Sequence, residues 1–90
     1  MEEKLEIIET VIDSVFEEHM FNAITLRELT TIKEEIRYKL SDCVEHVESS
    51  LDWNNKVIYV DCYEHMRKLE FKYTFESDGS INKFLKITKL

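Results

Sequence analysis

Arg67-Lys68-Leu69-Glu70-Phe71-Lys72-Tyr73-Thr74-Phe75-Glu76 is the stretch that decides the fold. Apolar Leu69, Phe71, Tyr73 and Phe75 alternate with Lys68, Glu70, Lys72 and Thr74. A period of two puts one face of a β-strand in a core and the other in water, so a strand is expected over residues 67–76. Downstream, Ser77-Asp78-Gly79-Ser80 holds the only glycine of the chain and predicts a hairpin turn into a strand at 81–88. Upstream, residues 56–63 are β-branched and aromatic, with Ile58, Val60 and Cys62 on one face and Val57, Tyr59 and Asp61 on the other. A turn at 64–66 joins these two runs. Three antiparallel strands result.

Before Asp52-Trp53-Asn54-Asn55 the period changes to that of a helix. Leu5, Ile8, Ile12, Val15 and His19 recur at steps of three or four, flanked by Val11 and Phe16, which predicts a helix over 2–20 closed by Asn22. Thr25-Leu26-Arg27-Glu28 reads as a capping box that starts a second helix. Its stripe of Leu29, Ile32, Ile36, Leu40, Cys43 and Val47, with Val44 beside it, carries the helix to residue 49 or 50. The expected fold is α+β: a two-helix hairpin packed on a three-stranded antiparallel β-meander, in the order α-α-β-β-β, as a single domain over 1–90. The last strand leaves a sheet edge open to a partner. Trp53, at the junction of helices and sheet, is expected to cap the core.

Composition bounds the function. Ninety residues, 43% of them hydrophobic, provide one small core, which dimerisation would supplement. The first residues lack the basic flank and apolar run of a secretory signal, and no stretch reaches the apolar length of a membrane span, so a cytoplasmic protein with no membrane partner is expected. Two cysteines are too few for a disulfide framework. The net charge of -7 is unevenly spread: residues 1–22 carry seven acids and one base, residues 23–54 seven acids and four bases, and residues 55–90 five acids and seven bases. The basic footprint of a nucleic-acid binder is missing apart from Lys83, Lys86 and Lys89 near the end, so direct nucleic-acid binding is not expected.

The acids of the first helix form a row. Glu2, Glu6, Glu9, Asp13 and Glu17 follow steps of four, three, four and four on one face, and Glu3 and Glu18 widen the band. At 1.5 Å rise per residue the five carboxylates spread over roughly 22 Å. One reading is a solvated face that keeps the protein soluble. The other is a surface aimed at a basic partner, such as the groove in which another protein holds nucleic acid. In whole-chain composition and in this row the chain resembles the small acidic phage proteins that inhibit host restriction enzymes and other DNA-binding proteins. The resemblance implies a DNA mimic in the host cytoplasm, acting as an anti-restriction inhibitor.

Each cysteine has a histidine three residues on: Cys43-Val44-Glu45-His46 and Cys62-Tyr63-Glu64-His65. Four such ligands match tetrahedral zinc in kind, but on a strand Cys62 and His65 point to opposite faces, so the site closes only if His65 lies in the turn. The competing assignment buries both cysteines in the core, with His46 at a helix boundary and His65 in a hairpin. His19 is expected as a helix-end or core residue. No serine elbow, phosphate loop or oriented Cys-His pair announces catalysis, and no cofactor is expected. The leading expectation is a non-enzymatic acidic inhibitor whose partner-binding residues are Glu2, Glu3, Glu6, Glu9, Asp13, Glu17 and Glu18. The rivals are an assembly protein that forms a homodimer through its sheet, using Val57, Tyr59 or the third strand, and a small zinc-stabilised module.

Overall fold

The computed structural model describes residues 2–19 and 24–90, with side chains from Lys4 onward; Met20 and Asn22, at the expected close of the first helix, and the side chains of Glu2 and Glu3 lie outside the described residues. The elements in chain order are α1 (Glu2–Glu18), α2 (Leu26–Leu40), β1 (His46–Asp52), β2 (Val57–Glu64), β3 (Arg67–Phe75) and β4 (Ile81–Lys89). The four strands form one antiparallel sheet in the order β1-β2-β3-β4, so the architecture is α+β as expected, with one strand more than expected. No helix among the described residues is long and apolar enough to cross a membrane.

α1 buries Ile8, Ile12 and Val15 completely, and Leu5, Val11 and Phe16 pack against the same core. α2 begins at Thr25, an extended residue whose Oγ1 accepts the Glu28 amide at 3.1 Å, which is half of the expected capping box. It buries Leu29, Ile32, Ile36 and Leu40. α1 is tied to α2 and to the turn that follows it: His19 Nε2 lies 2.7 Å from a Glu35 carboxylate oxygen, Lys39 Nζ donates to Glu18 at 3.0 Å, and Lys4 Nζ donates to the Cys43 carbonyl at 2.7 Å.

The second helix stops at Leu40, about nine residues short of its expected end, and 46–52 is a strand. Cys43 and Val44 do sit at helical spacing from Leu40 and Val47, which is why the helical period runs on in the sequence. In the structure the amides of Cys43 and Val44 both return to the Leu40 carbonyl, closing the last turn. The next residues, His46-Val47-Glu48-Ser49-Ser50-Leu51, also satisfy a period of two in Val47, Ser49 and Leu51. Serine is a poor interior helix residue because its hydroxyl competes for the backbone. Pairing with β2, from His46 opposite Tyr63 to Asp52 opposite Val57, satisfies the same backbone in a ladder. Ser49 then turns towards α2 and donates to the Lys33 carbonyl at 3.2 Å. The break at 52–55 is therefore a strand-to-strand turn: Asp52 accepts from the Asn55 amide and side chain, and the Lys56 ammonium stands 3.9 Å from the centre of the Trp53 ring, which packs against the core as expected.

The helix face of the sheet carries Val47, Ile58, Val60, Cys62, Leu69, Phe71, Tyr73 and Phe75, all buried. α2 lies over β1 and β2. α1 lies towards β3 and β4, with Phe16 edge-on to Tyr73 and Phe75 at 5.0 and 5.7 Å and Glu9 in an ion pair with Lys83. Among the described residues no helix lies over the other face. Along β2 and β3 it presents Tyr59, Asp61 and Tyr63 beside Lys68, Glu70 and Lys72.

The β2–β3 hairpin turns on two residues, His65 and Met66, both at positive φ (47° and 63°). Two left-handed residues match the twist of flanking strands, but the conformation costs L-residues about 1–2 kcal/mol each. Met66 is 74% exposed and contributes little packing in return. Met66→Gly is expected to raise the stability of the protein by about 0.5–1 kcal/mol, the strain relieved less the added unfolded-chain entropy, whereas Met66→Ala gains nothing. Urea midpoints of the three proteins check it.

Candidate functional site: the acidic face of α1 and the groove beside β4

Helical spacing puts Glu6, Glu9, Asp13 and Glu17 on the flank of α1 that faces away from α2, and the tertiary structure then divides them. Glu9 is half-buried and pairs with Lys83 of β4, so its charge is spent inside the molecule. Glu18 points to the opposite flank and pairs with Lys39 of α2 at 3.0 Å. Glu6, Asp13 and Glu17 are exposed and form no ion pair among the described residues. About 10.5 Å of helix axis separates Glu6 from Asp13, and about 6 Å separates Asp13 from Glu17. Among the described residues the row is thus three free carboxylates beside one internal ion pair.

Between α1 and β4 a groove of about 370 Å³ opens to solvent, lined by Asp13, Phe16, Glu17, Tyr73, Ile81 and Lys83. Its carboxylates stand at the rim on α1, and its apolar surface comes from Phe16 and Ile81. Tyr73 contributes to the floor. The Tyr73 hydroxyl is buried and makes no hydrogen bond among the described residues. Burial first, then the nearby charges of Asp13 and Glu9, push its phenol far above the usual range, so it keeps its proton. An unsatisfied buried hydroxyl costs about 1–3 kcal/mol, which makes this atom an exception in the core.

His19 occupies the end of α1, half-buried against α2. Its hydrogen bond is the largest cause holding the Glu35 carboxyl below its usual value, against the opposing effect of partial burial. The two Cys-His pairs do not bring their ligand atoms together among the described residues. Cys62 is fully buried on the helix face, where desolvation pushes its thiol up to about 12. Cys43 is half-buried in the turn after α2, with Sγ 3.7 Å from the Lys39 carbonyl. His46 sits on the open face, 3.1 Å from Glu48 and tilted over Tyr63. His65 is in the hairpin turn, 3.1 Å from buried Glu64. Among the described residues, the group with ligand atoms close enough to share an ion is Glu45, Glu64 and His65, not the two Cys-His pairs. There the Glu64 carboxylate already accepts the Glu45 amide at 3.1 Å.

Two features of the site were hidden in the sequence. Tyr73 reads as one more apolar position of β3, and nothing local shows that its hydroxyl ends without a partner. On the open face Glu48, Asp61 and Glu70 stand side by side across three strands, an arrangement invisible while 46–52 is read as helix. No protein-family model, curated protein or solved structure matches the chain.

Partial burial, reinforced by Glu70 and Glu48 and opposed by Lys68, raises the Asp61 carboxyl above its usual value. The folded state therefore holds this proton more tightly than the unfolded chain does, and folding loses stability as pH rises through that range. Asp61→Asn is expected to raise the melting temperature at pH 7. The gain should vanish below about pH 4, where the wild-type carboxyl is protonated in both states. Thermal melts of both proteins from pH 3 to 8 check the sign.

Proposed function

We propose that this chain is a non-enzymatic binding module, an inhibitor that lays the acidic face of α1 on the basic groove of a nucleic-acid-binding protein. The observation that carries the reading is the state of Glu6, Asp13 and Glu17: they stay exposed and without an ion pair among the described residues, although β3 and β4 hold five of the chain's lysines. Like charges along a helix repel, at a cost of a few tenths of a kcal/mol per pair, so the row works against the helix that carries it. A basic groove supplies the counter-charge the fold withholds, and long-range attraction speeds the encounter. The chain's resemblance in composition and acid row to small anti-restriction inhibitors supports the same reading.

Glu9 is unsuitable for testing the idea, because a lysine there would face Lys83. Asp13→Lys/Glu17→Lys leaves the internal pair intact. Tagged wild type at about 50 mM salt is expected to capture a nucleic-acid-binding protein from lysate, to release it when duplex DNA is added, and to lose it at about 300 mM. The double variant should capture none. Identical catches from both proteins overturn the reading.

A second reading is supported by the open face of the sheet, where Phe84 is 62% and Tyr59 36% exposed. Val57, expected there as a contact residue, is buried. On this face β1 and β2 carry Glu48, Asp52 and Asp61, whereas β3 and β4 carry Lys68, Lys72 and Lys86 with Glu70. A two-fold axis parallel to the strands lays the acidic half of one copy on the lysine half of another, which is the self-complementarity a symmetric dimer requires. Sedimentation velocity is expected to give a dimer that Phe84→Glu dissociates; a monomeric wild type at about 100 μM discards this second reading.

A further inference from the structure

The groove between α1 and β4 has the chemistry of a socket for one side chain. Its rim offers the Asp13 and Glu17 carboxylates, one helical turn apart and both without an ion pair among the described residues. Its walls offer the Phe16 ring and Ile81. The Lys83 ammonium is committed to Glu9, so it does not neutralise the rim. The floor contains Tyr73, 2% exposed, whose protonated hydroxyl lacks a hydrogen-bond partner among the described residues. A buried polar atom left unpaired beside an open groove is the feature a ligand would satisfy.

We propose that this groove is an arginine-binding socket, the anchor point at which one arginine of the basic partner is held. The inference rests on the acidic-face reading above and specifies its centre. The class of ligand follows from the donor and acceptor count. A guanidinium presents five N–H donors in a planar fork, which suits two carboxylates a helical turn apart and still leaves a donor for the Tyr73 hydroxyl oxygen. Its flat face stacks on an aromatic ring such as Phe16, and its three methylenes cover Ile81. A lysine ammonium is a compact point charge that satisfies one carboxylate and cannot reach the floor at the same time.

The test is a ¹H–¹⁵N NMR titration of the whole chain at fixed ionic strength with two probes, hexa-arginine and hexa-lysine peptides. Hexa-arginine is expected to give saturable shifts centred on Phe16, Tyr73 and Ile81 and to bind about tenfold more tightly than hexa-lysine. Tyr73→Phe should bring the two affinities within about twofold of one another without changing that for hexa-lysine. Asp13→Asn/Glu17→Gln, at exposed positions that leave the core intact, should remove the binding of both. Equal affinities in wild type, indifferent to Tyr73→Phe, overturn the socket while the acidic-face reading stands. Absence of saturable binding by either peptide overturns both.

Discussion

Ile8, Ile12 and Val15 of α1 and Leu29, Ile32, Ile36 and Leu40 of α2 are completely removed from water, and the surface that removes them is the helix face of the sheet. Each such side chain is worth about 1.5–3 kcal/mol, against about 0–1 kcal/mol for an exposed ion pair. The apolar stripes therefore decide that the helices lie on the sheet. The ion pairs decide finer matters, such as which flank of a helix is tied and which is left free. Four strands rather than three serve this constraint, because β1 extends the sheet beneath α2 and adds Val47 to the same core.

Once the helices are seated, the charge of the first segment cannot act as a uniform band. Turning Ile8 and Ile12 inward commits Glu9 to the boundary with β4 and Glu18 to the boundary with α2, where Lys83 and Lys39 meet them. Glu6, Asp13 and Glu17 remain outside. The same seating brings Asp13 and Glu17 over Phe16, Tyr73 and Ile81 and so makes a groove that neither helix nor sheet possesses alone. Function, on the reading proposed above, resides at the seam between layers, where the sequence places carboxylates from one element beside an aromatic floor from another.

The cysteines illustrate how burial governs chemistry. Cys62 is held among apolar side chains, and losing water disfavours its thiolate more than any neighbouring charge does. His65, three residues later, lies in the hairpin turn and stands exposed beside Glu64. Regular spacing in a sequence is a statement about contour length. Whether it becomes a shared site depends on the tertiary structure: His65 does lie in the turn, as a closed site requires, yet Cys62 faces the core and the ligand atoms that meet His65 are those of Glu45 and Glu64.

What the sequence determined by itself is what depends on local periodicity: the stripes of both helices, the cap at Thr25, strands β2, β3 and β4, the turn at Gly79 and the acid row. These signals lie within a few residues of the chain and need no partner to be read. Residues 46–52 were beyond it, because Val47 suits a helical step from Leu40 as well as a strand step to Ser49 and Leu51. Only pairing with β2, on average eleven residues away, selects between them. The division of the row into paired and free carboxylates, the orphan hydroxyl of Tyr73 and the cross-strand neighbours of Asp61 were likewise decided by tertiary structure. Each depends on atoms far apart in the chain, and electrostatics and hydrogen bonding act across a few ångströms of space irrespective of distance along the sequence.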